Sequence, residues 1–355
     1  MYEKFYNLKQ NPFSLTPDPE FVCMTEQHRE ALSGLIYSVC TRPGLTLLVG
    51  EVGTGKTTLL YTLLGFLEKK QYRSAFCCNP LLSSGEFYDY LLSTLQVPCA
   101  SSLKSQQLIA LKESLLRNHA AGKASVLIVD EAQKLSVELL EEIRLLTNLE
   151  TPRQKLLQII MAGQPEVAGM LNRPELRQLK QRINYYCRLE PLTLEEVAEY
   201  VQHRLGRAGL LNQNLFSRVV VEAIHGYTKG IPRLVNTLCD NALQNAFAIQ
   251  SPNVTASIIQ EAACDLDLLP VPLEEEYDPA QRKGPAPLPE TLRRSRNLAA
   301  APAVLVPNFT RESESLVRTR ALGSELKQPA RIPLENYAAR QKSLGFLAGL
   351  LDLWR

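Results

Sequence analysis

Between about residues 40 and 190, short apolar runs alternate with longer stretches whose apolar positions recur at helical spacing. That alternation is the sequence form of an α/β protein, a parallel sheet joined by crossover helices. The runs Leu45 to Val49, Ala75 to Asn79, Val126 to Asp130, Leu157 to Ala162 and Tyr185 to Leu189 predict five strands. Lys56 to Lys69, Gly85 to Leu95, Ser105 to Ala121 and Ser136 to Leu149 predict helices, the last with leucines at Leu139, Leu145, Leu146 and Leu149. After Pro191 the strand signals stop. Thr193 and Glu196 form a capping-box pattern opening a helix. Further helical patterns run over Ser217 to Tyr227, Pro232 to Ile249 and Thr255 to Leu266, with Pro232 near a first helical position. The division read from this pattern is an N-terminal segment over 1–40, a sheet-and-helix core over 41–190 and a small all-helical domain over 191–267.

The texture changes again near residue 271, after which nine of the chain's 22 prolines fall in a stretch without sustained periodicity. Such composition predicts a disordered linker, taken as 268–341. It gives way over 342–355 to a short amphipathic helix with Leu347, Leu350, Leu351 and Trp354 on one face. That face fits docking on a partner or a membrane, or packing back on the chain's own body. Residues 271–355 hold 13 basic and 10 acidic residues, which leaves the remainder at about −1 out of a total of +2. A near-neutral body provides no overall field for non-specific nucleic-acid binding.

At 355 residues and 45% apolar content the chain can bury the cores of two domains. Its eight cysteines form no CxxC pair, so they read as reduced thiols rather than as a zinc site or a disulfide framework. The opening Met1-Tyr2-Glu3-Lys4-Phe5 lacks the features of a secretory leader, and no window reaches the length of a membrane helix. The expected location is cytoplasmic, at most peripheral at the inner membrane.

The densest chemical signal is Gly50-Glu51-Val52-Gly53-Thr54-Gly55-Lys56-Thr57, followed by Thr58, between a predicted strand and a predicted helix. It matches the phosphate-binding P-loop (Walker A). Glycines there let successive main-chain N–H groups turn inward toward phosphate oxygens, and the helix N-terminus adds its positive dipole end. Lys56 is placed to reach the β and γ phosphates of a nucleotide, and the Thr57 hydroxyl to ligate Mg²⁺. Val126-Leu127-Ile128-Val129-Asp130-Glu131-Ala132-Gln133 is an apolar run ending in two carboxylates, a Walker B pattern. Asp130 is assigned to the Mg²⁺ and Glu131 to an attacking water. Paired acids at a strand end also occur as solvated turn residues, a reading the preceding P-loop disfavours.

Three further features join these. Gln164, just past the fourth predicted strand, stands where ligands of doubly wound sheets gather and is a candidate to orient water, or a polar loop cap. Arg173, Arg177 and Arg182 cluster before the last strand, as a guanidinium offered to a neighbouring subunit's γ-phosphate or as a solvated helix face. Arg233 in Gly230-Ile231-Pro232-Arg233 opens a helix of the second domain, where it is read as closing over the nucleotide, or as an exposed turn residue.

Together these residues resemble AAA+ ATPases. The segment Tyr6-Asn7-Leu8-Lys9-Gln10-Asn11-Pro12-Phe13-Ser14-Leu15-Thr16-Pro17-Asp18-Pro19, His28-Arg29-Glu30-Ala31-Leu32 and the run from Asp130 to Glu150 are similar to the ExeA/GspA (general secretion pathway protein A) family over about residues 1–267. The resemblance implies a 5-1-4-3-2 parallel sheet, a helical lid, ATP and Mg²⁺ as ligands, and a homo-oligomer, ring-like, with shared nucleotide sites. It makes Gln164 sensor 1, Arg233 sensor 2, and Arg182, then Arg177, the arginine finger. Residues Pro12 to Tyr37 are expected to contribute to the adenine pocket. Members of that family often continue through a transmembrane helix into a peptidoglycan-binding region, features not found in this sequence. The implied function is an ATPase driving assembly or operation of a secretion or envelope system, with a membrane-bound partner reached through the tail. The alternatives are a DNA-associated ATPase of the MuB/TniB transposition type and a nucleotide switch with negligible turnover.

Overall fold

The computed structural model describes residues 2–15, 21–78, 81–210 and 215–268. Asn79 and the expected linker and C-terminal helix beyond 268 lie outside these residues. Among the described residues, no helix is long and apolar enough to cross a membrane.

In chain order the elements are α1 (Tyr2–Phe5), α2 (Glu26–Thr41), β1 (Leu45–Gly50), α3 (Lys56–Lys69), β2 (Arg73–Cys77), α4 (Ser84–Thr94), α5 (Lys104–Ala120), β3 (Ser125–Val129), α6 (Val137–Leu146), β4 (Leu157–Gly163), α7 (Glu166–Met170), α8 (Arg177–Lys180), β5 (Ile183–Leu189), α9 (Leu194–Arg207), α10 (Arg218–Thr228), α11 (Pro232–Ala248) and α12 (Ala256–Asp265). The sheet order is β2-β3-β4-β1-β5, all parallel, which read from the other edge is 5-1-4-3-2. The three inner strands β1, β3 and β4 are buried along their whole length, whereas the edge strand β5 exposes alternate residues. Burial on both faces is what a parallel sheet with crossover helices requires, and it accounts for the continuous apolar runs in the sequence. Leu45, Leu47 and Val49 face a core shared with α4 to α8. The intervening positions Thr46 and Leu48 point to the opposite face, which α2 and α3 cover.

Pairing of Val49 with Gly163, and of Val129 with Met161, brings the carboxyl ends of β1, β3 and β4 side by side. Strand β3 stops at Val129, one residue before its expected end, so Asp130 and Glu131 both lie in the loop beyond it. Helix α6 also ends early, at Leu146. Leu149 leaves the helical pattern because its carbonyl accepts the N–H of Leu156, at 2.9 Å, beside the Glu150–Lys155 bridge. The capping box of α9 is present, with Glu196 N–H donating to Thr193 Oγ1 at 3.2 Å and Thr193 N–H to Glu196 Oε2 at 2.9 Å. Helix α6 is anchored by Glu142, whose carboxylate accepts from Lys104, Ser84 and Tyr88. Burial pushes that carboxyl up, but these three donors outweigh it and hold it below its ordinary value.

Helices α9 to α12 enclose a second apolar cluster, which also takes in Tyr2, Tyr6, Leu8, Phe13 and Phe21. The first residues of the chain are therefore packed on the helical domain, while α2, a helix the sequence pattern did not predict, lies on the sheet against β5 and α3. Tyr2 and Asn11 donate to Asp240, and Tyr6 to the carbonyl of Ser251. Arg204, buried on α9, donates to the carbonyls of Pro12 and Ser14 and to the hydroxyl of Tyr200.

The turn between α10 and α11 carries two successive residues at positive φ, Lys229 at 52° and Gly230 at 73°. A Cβ on Gly230 would stand 1.9 Å from the carbonyl oxygen of Leu192, whose own N–H donates to Gly230 O at 2.8 Å. Gly230→Ala is expected to destabilise the protein by about 2 kcal/mol or more in urea unfolding. Lys229→Gly, at a position that already uses the glycine conformation, is expected to be neutral or slightly stabilising in the same measurement.

Candidate nucleotide site

The loop from β1 to α3 turns on Gly53 at φ 83° and Gly55 at φ 96°. No side chain caps α3, so its first N–H groups remain available at the loop. A Cβ on Gly53 would stand 2.7 Å from the Cβ of Arg233, and Arg233 N–H approaches Gly53 O at 3.3 Å. Gly53 thus serves the close approach of the helical domain as well as the turn itself. Thr54 folds its hydroxyl back to Glu51 O at 2.8 Å. The Lys56 ammonium, buried beneath the loop, donates to Gly50 O at 2.7 Å and Glu51 O at 2.8 Å. Burial pushes its pKa down, and the nearby carboxylates of Asp130, Glu131, Glu51 and Glu166 oppose that shift.

Asp130 is buried, with each of its oxygens engaged: Thr57 Oγ1 donates to Oδ2 at 2.7 Å, and Glu131 N–H to Oδ1 at 2.8 Å. Glu131 itself holds φ 54° and ψ 39°, a left-handed conformation that costs a residue with a Cβ about 1 kcal/mol. A single 3-10 turn, Ala132–Lys134, follows it. The Glu131 carboxylate accepts from Gln133 Nε2 at 2.8 Å and pairs with Lys134 Nζ at 3.2 Å. Gln164 lies past the end of β4, its main-chain N–H donating to Gln133 Oε1 at 3.1 Å.

A cleft of about 380 Å³ begins at this loop, where Val52, Gly53, Thr54, Gly55, Lys56, Thr57, Thr58, Glu131 and Arg233 line it. It extends between Phe21 to Thr25 on one side and Tyr200, Arg204 and Asn236 of the helical domain on the other. Among the described residues of the stretch Pro12 to Tyr37, Ser14, Leu15, residues 21–25 and His28 line the cleft, while most of α2 is committed to the sheet. Lys56, Thr57, Asp130, Glu131 and Arg233 are brought together at one end, and Gln164 joins them through Gln133. Arg177, exposed at the start of α8, and Arg182, half-buried before β5, stand outside the cleft lining.

Several residues here carry no motif. Tyr200 donates to Asn236 Oδ1 at 3.0 Å and accepts from Arg204 at 2.9 Å, a polar chain along one wall. The positions of Tyr200 and Arg204, four apart on the inner face of an amphipathic helix, are the signal that an inward arginine needed an acceptor. His28 has no such local signal. Its Nε2 meets Thr54 O at 3.0 Å and its Nδ1 meets Thr25 Oγ1 at 2.7 Å, so the neutral ring with the proton on Nε2 satisfies both contacts. Burial pushes the His28 pKa below its ordinary 6.5, against the opposing effect of the Thr54 carbonyl and Glu196.

With the folded-state pKa depressed, the unfolded chain takes up protons first as pH falls through the ordinary histidine range, so the stability due to neutral His28 is lost on acidification. His28→Gln keeps a donor for Thr54 O and does not titrate. Wild type is expected to lose more stability than His28→Gln between about pH 7 and about pH 5, read as the change in the difference of their urea midpoints.

A family model described as an AAA domain matches residues 40–171. The chain is 42% identical over 267 residues to general secretion pathway protein A of Aeromonas hydrophila, an alignment that covers 75% of this chain and 48% of that protein. The chain thus spans about half the length of this curated relative. Among solved structures, Drosophila ORC bound to DNA aligns with a TM-score of 0.58 at 17% identity, covering 76% of this chain and 66% of that one. The Cdc6p of Pyrobaculum aerophilum aligns with a TM-score of 0.55 at 18% identity, covering 72% and 70%. At those identities the two structures show a shared fold. Identity of 42% across three quarters of the sequence carries further: the chain holds an AAA domain and is similar, over 267 residues, to about half of a general secretion pathway protein A.

Proposed function

We propose that the cleft binds ATP with Mg²⁺ and that the chain hydrolyses it as a ring-like homo-oligomer, with residues 41–190 as the motor core and 191–267 as its lid. The observation that supports this best is the 2.7 Å bond between the Thr57 hydroxyl and the buried Asp130 carboxylate, beside a loop that turns on Gly53 and Gly55. Two hard oxygen ligands are a fitting protein contribution to Mg²⁺, which keeps several waters and takes further ligands from phosphates. When bound there, the ion supplies positive charge to the phosphate oxygens.

On nucleotide binding, the Lys56 ammonium exchanges the carbonyls of Gly50 and Glu51 for β and γ phosphate oxygens, gaining the charge partner its burial lacks. The N–H groups from Gly53 to Thr57 hold the triphosphate. Glu131 takes a proton from a water that Gln164 helps orient, the water oxygen bonds to the γ-phosphorus, and the bond to the leaving ADP oxygen breaks. Arg233, arriving from the helical domain, meets the γ-phosphate and couples its loss to movement of that domain. Arg182, or next Arg177, completes the charge in a neighbouring subunit. The likeness to a general secretion pathway protein supports a role in assembling or operating a secretion or envelope system. The proposed working place is the cytoplasmic side of the inner membrane, with a membrane-bound partner engaged through the C-terminal segment.

Lys56→Ala is expected to abolish binding of a fluorescent ATP analogue in the presence of magnesium. Glu131→Gln is expected to retain that binding within about threefold while losing about 100-fold or more in turnover. Undiminished binding by Lys56→Ala contradicts the assignment of the cleft. Shared sites predict complementation: Arg182→Ala and Lys56→Ala, each inactive alone, recover turnover when mixed, since the second subunit offers an intact Arg182 to the intact pocket of the first. A mixture as inactive as its parts excludes Arg182 as a finger acting between subunits.

A further inference from the structure

Gln133 belongs to no assigned role, yet its side chain joins the two groups on which the proposed chemistry turns. Its Oε1 accepts the main-chain N–H of Gln164 at 3.1 Å, and its Nε2 donates to Glu131 Oε2 at 2.8 Å. Chemistry fixes the orientation of this amide. A peptide N–H only donates, so the oxygen must face β4, and a carboxylate only accepts, so the NH₂ must face Glu131.

The surrounding backbone is shaped to admit this bridge. The left-handed conformation of Glu131 and the 3-10 turn after it set Gln133 against the end of β4. At that end, a Cβ on Gly163 would lie 2.9 Å from Gln133 Oε1 and 2.5 Å from Val167 Cγ2. A residue with a side chain at 163 would displace the amide. The second contact on Glu131, from Lys134, comes from a side chain that is 54% exposed, and solvent weakens such a pair. Gln133 is the contact held at both ends.

We propose that Gln133 is a positioning residue for ATP hydrolysis, tying the Glu131 carboxylate to the carboxyl end of β4. Glu131 and Gln164 then move as one unit when a γ-phosphate arrives or leaves. This inference rests on the reading of Glu131 as the group that activates water. The strand order makes the bridge possible, since β4, which Gln164 follows, pairs directly with β3, which leads into Glu131 and Gln133.

The test uses the full chain, steady-state turnover, and binding of a non-hydrolysable ATP analogue. Gln133→Leu, which removes both contacts, is expected to lower kcat by about tenfold or more, with KM and analogue affinity within about twofold. Gln133→Glu keeps an acceptor for the Gln164 N–H but sets a carboxylate against Glu131. It is expected to fall at least as far in kcat with an unchanged melting temperature. In a Glu131→Gln background, Gln133→Leu is expected to cost nothing further, as for residues acting through one another. Near-normal turnover of Gln133→Glu reduces Gln133 to a cap on β4 and overturns the proposal, as does faster turnover of Gln133→Leu, which makes the contact a restraint. If Glu131→Gln itself turns over normally, the reading of Glu131 falls and this inference with it. If that variant is inactive while both Gln133 variants are unimpaired, this inference alone falls.

Discussion

The hydrogen bond from Thr57 to Asp130 closes a distance that local structure cannot. Thr57 stands in the first turn of α3, delivered by β1, and Asp130 follows β3, and these strands are not neighbours. Strand β4 lies between them, and its register with both fixes how far each projects. A slip of one residue in either pairing would turn the strand's buried side chains to the wrong face and carry the hydroxyl away from the carboxylate. The parallel sheet, with both faces covered, is thus the element that holds the chemistry in register.

The buried Lys56 follows from the same geometry. Its ammonium lies under the glycine loop, with main-chain carbonyls as acceptors and its pKa pushed down by burial. Under the proposed function, a phosphate held at this loop would offset that desolvation with its own charge. The other wall of the cleft uses a second buried cation, Arg204, whose acceptors are the neutral oxygens of Pro12, Ser14 and Tyr200. Its guanidinium also lies 5.2 Å from the ring centre of Phe21 and 5.6 Å from that of Tyr200. Arg204 thereby holds the first residues of the chain to the helical domain. Residues 21–25 line the cleft opposite Tyr200, Arg204 and Asn236.

The motifs that could be read directly were those whose chemistry is local in sequence. The glycine loop, the strand before it and the helix after it lie within one stretch, and the acid pair ends an apolar run. The capping box of α9 needs only Thr193 and Glu196. By contrast, α2 was not evident, because its polar positions interrupt the helical pattern and its packing partners, β5 and α3, are set by the topology. His28 carries no sign in its neighbours of a bond to Thr54, and Gln133 gives none of its bridge between Glu131 and Gln164.

The sequence by itself determined the class of the sheet, the glycine-rich loop pattern between β1 and α3, and the change to helices alone after β5 among the described residues. Each of these follows from periodicity or from residue types at fixed short spacing. Only the tertiary structure decided that the chain's first residues pack on the helical domain, that Gly53 yields space to Arg233, and that Arg177 and Arg182 stand outside the cleft. Those outcomes depend on side chains meeting across long separations in the chain, where burial, close approach and hydrogen-bond satisfaction act between elements that the linear pattern describes one at a time.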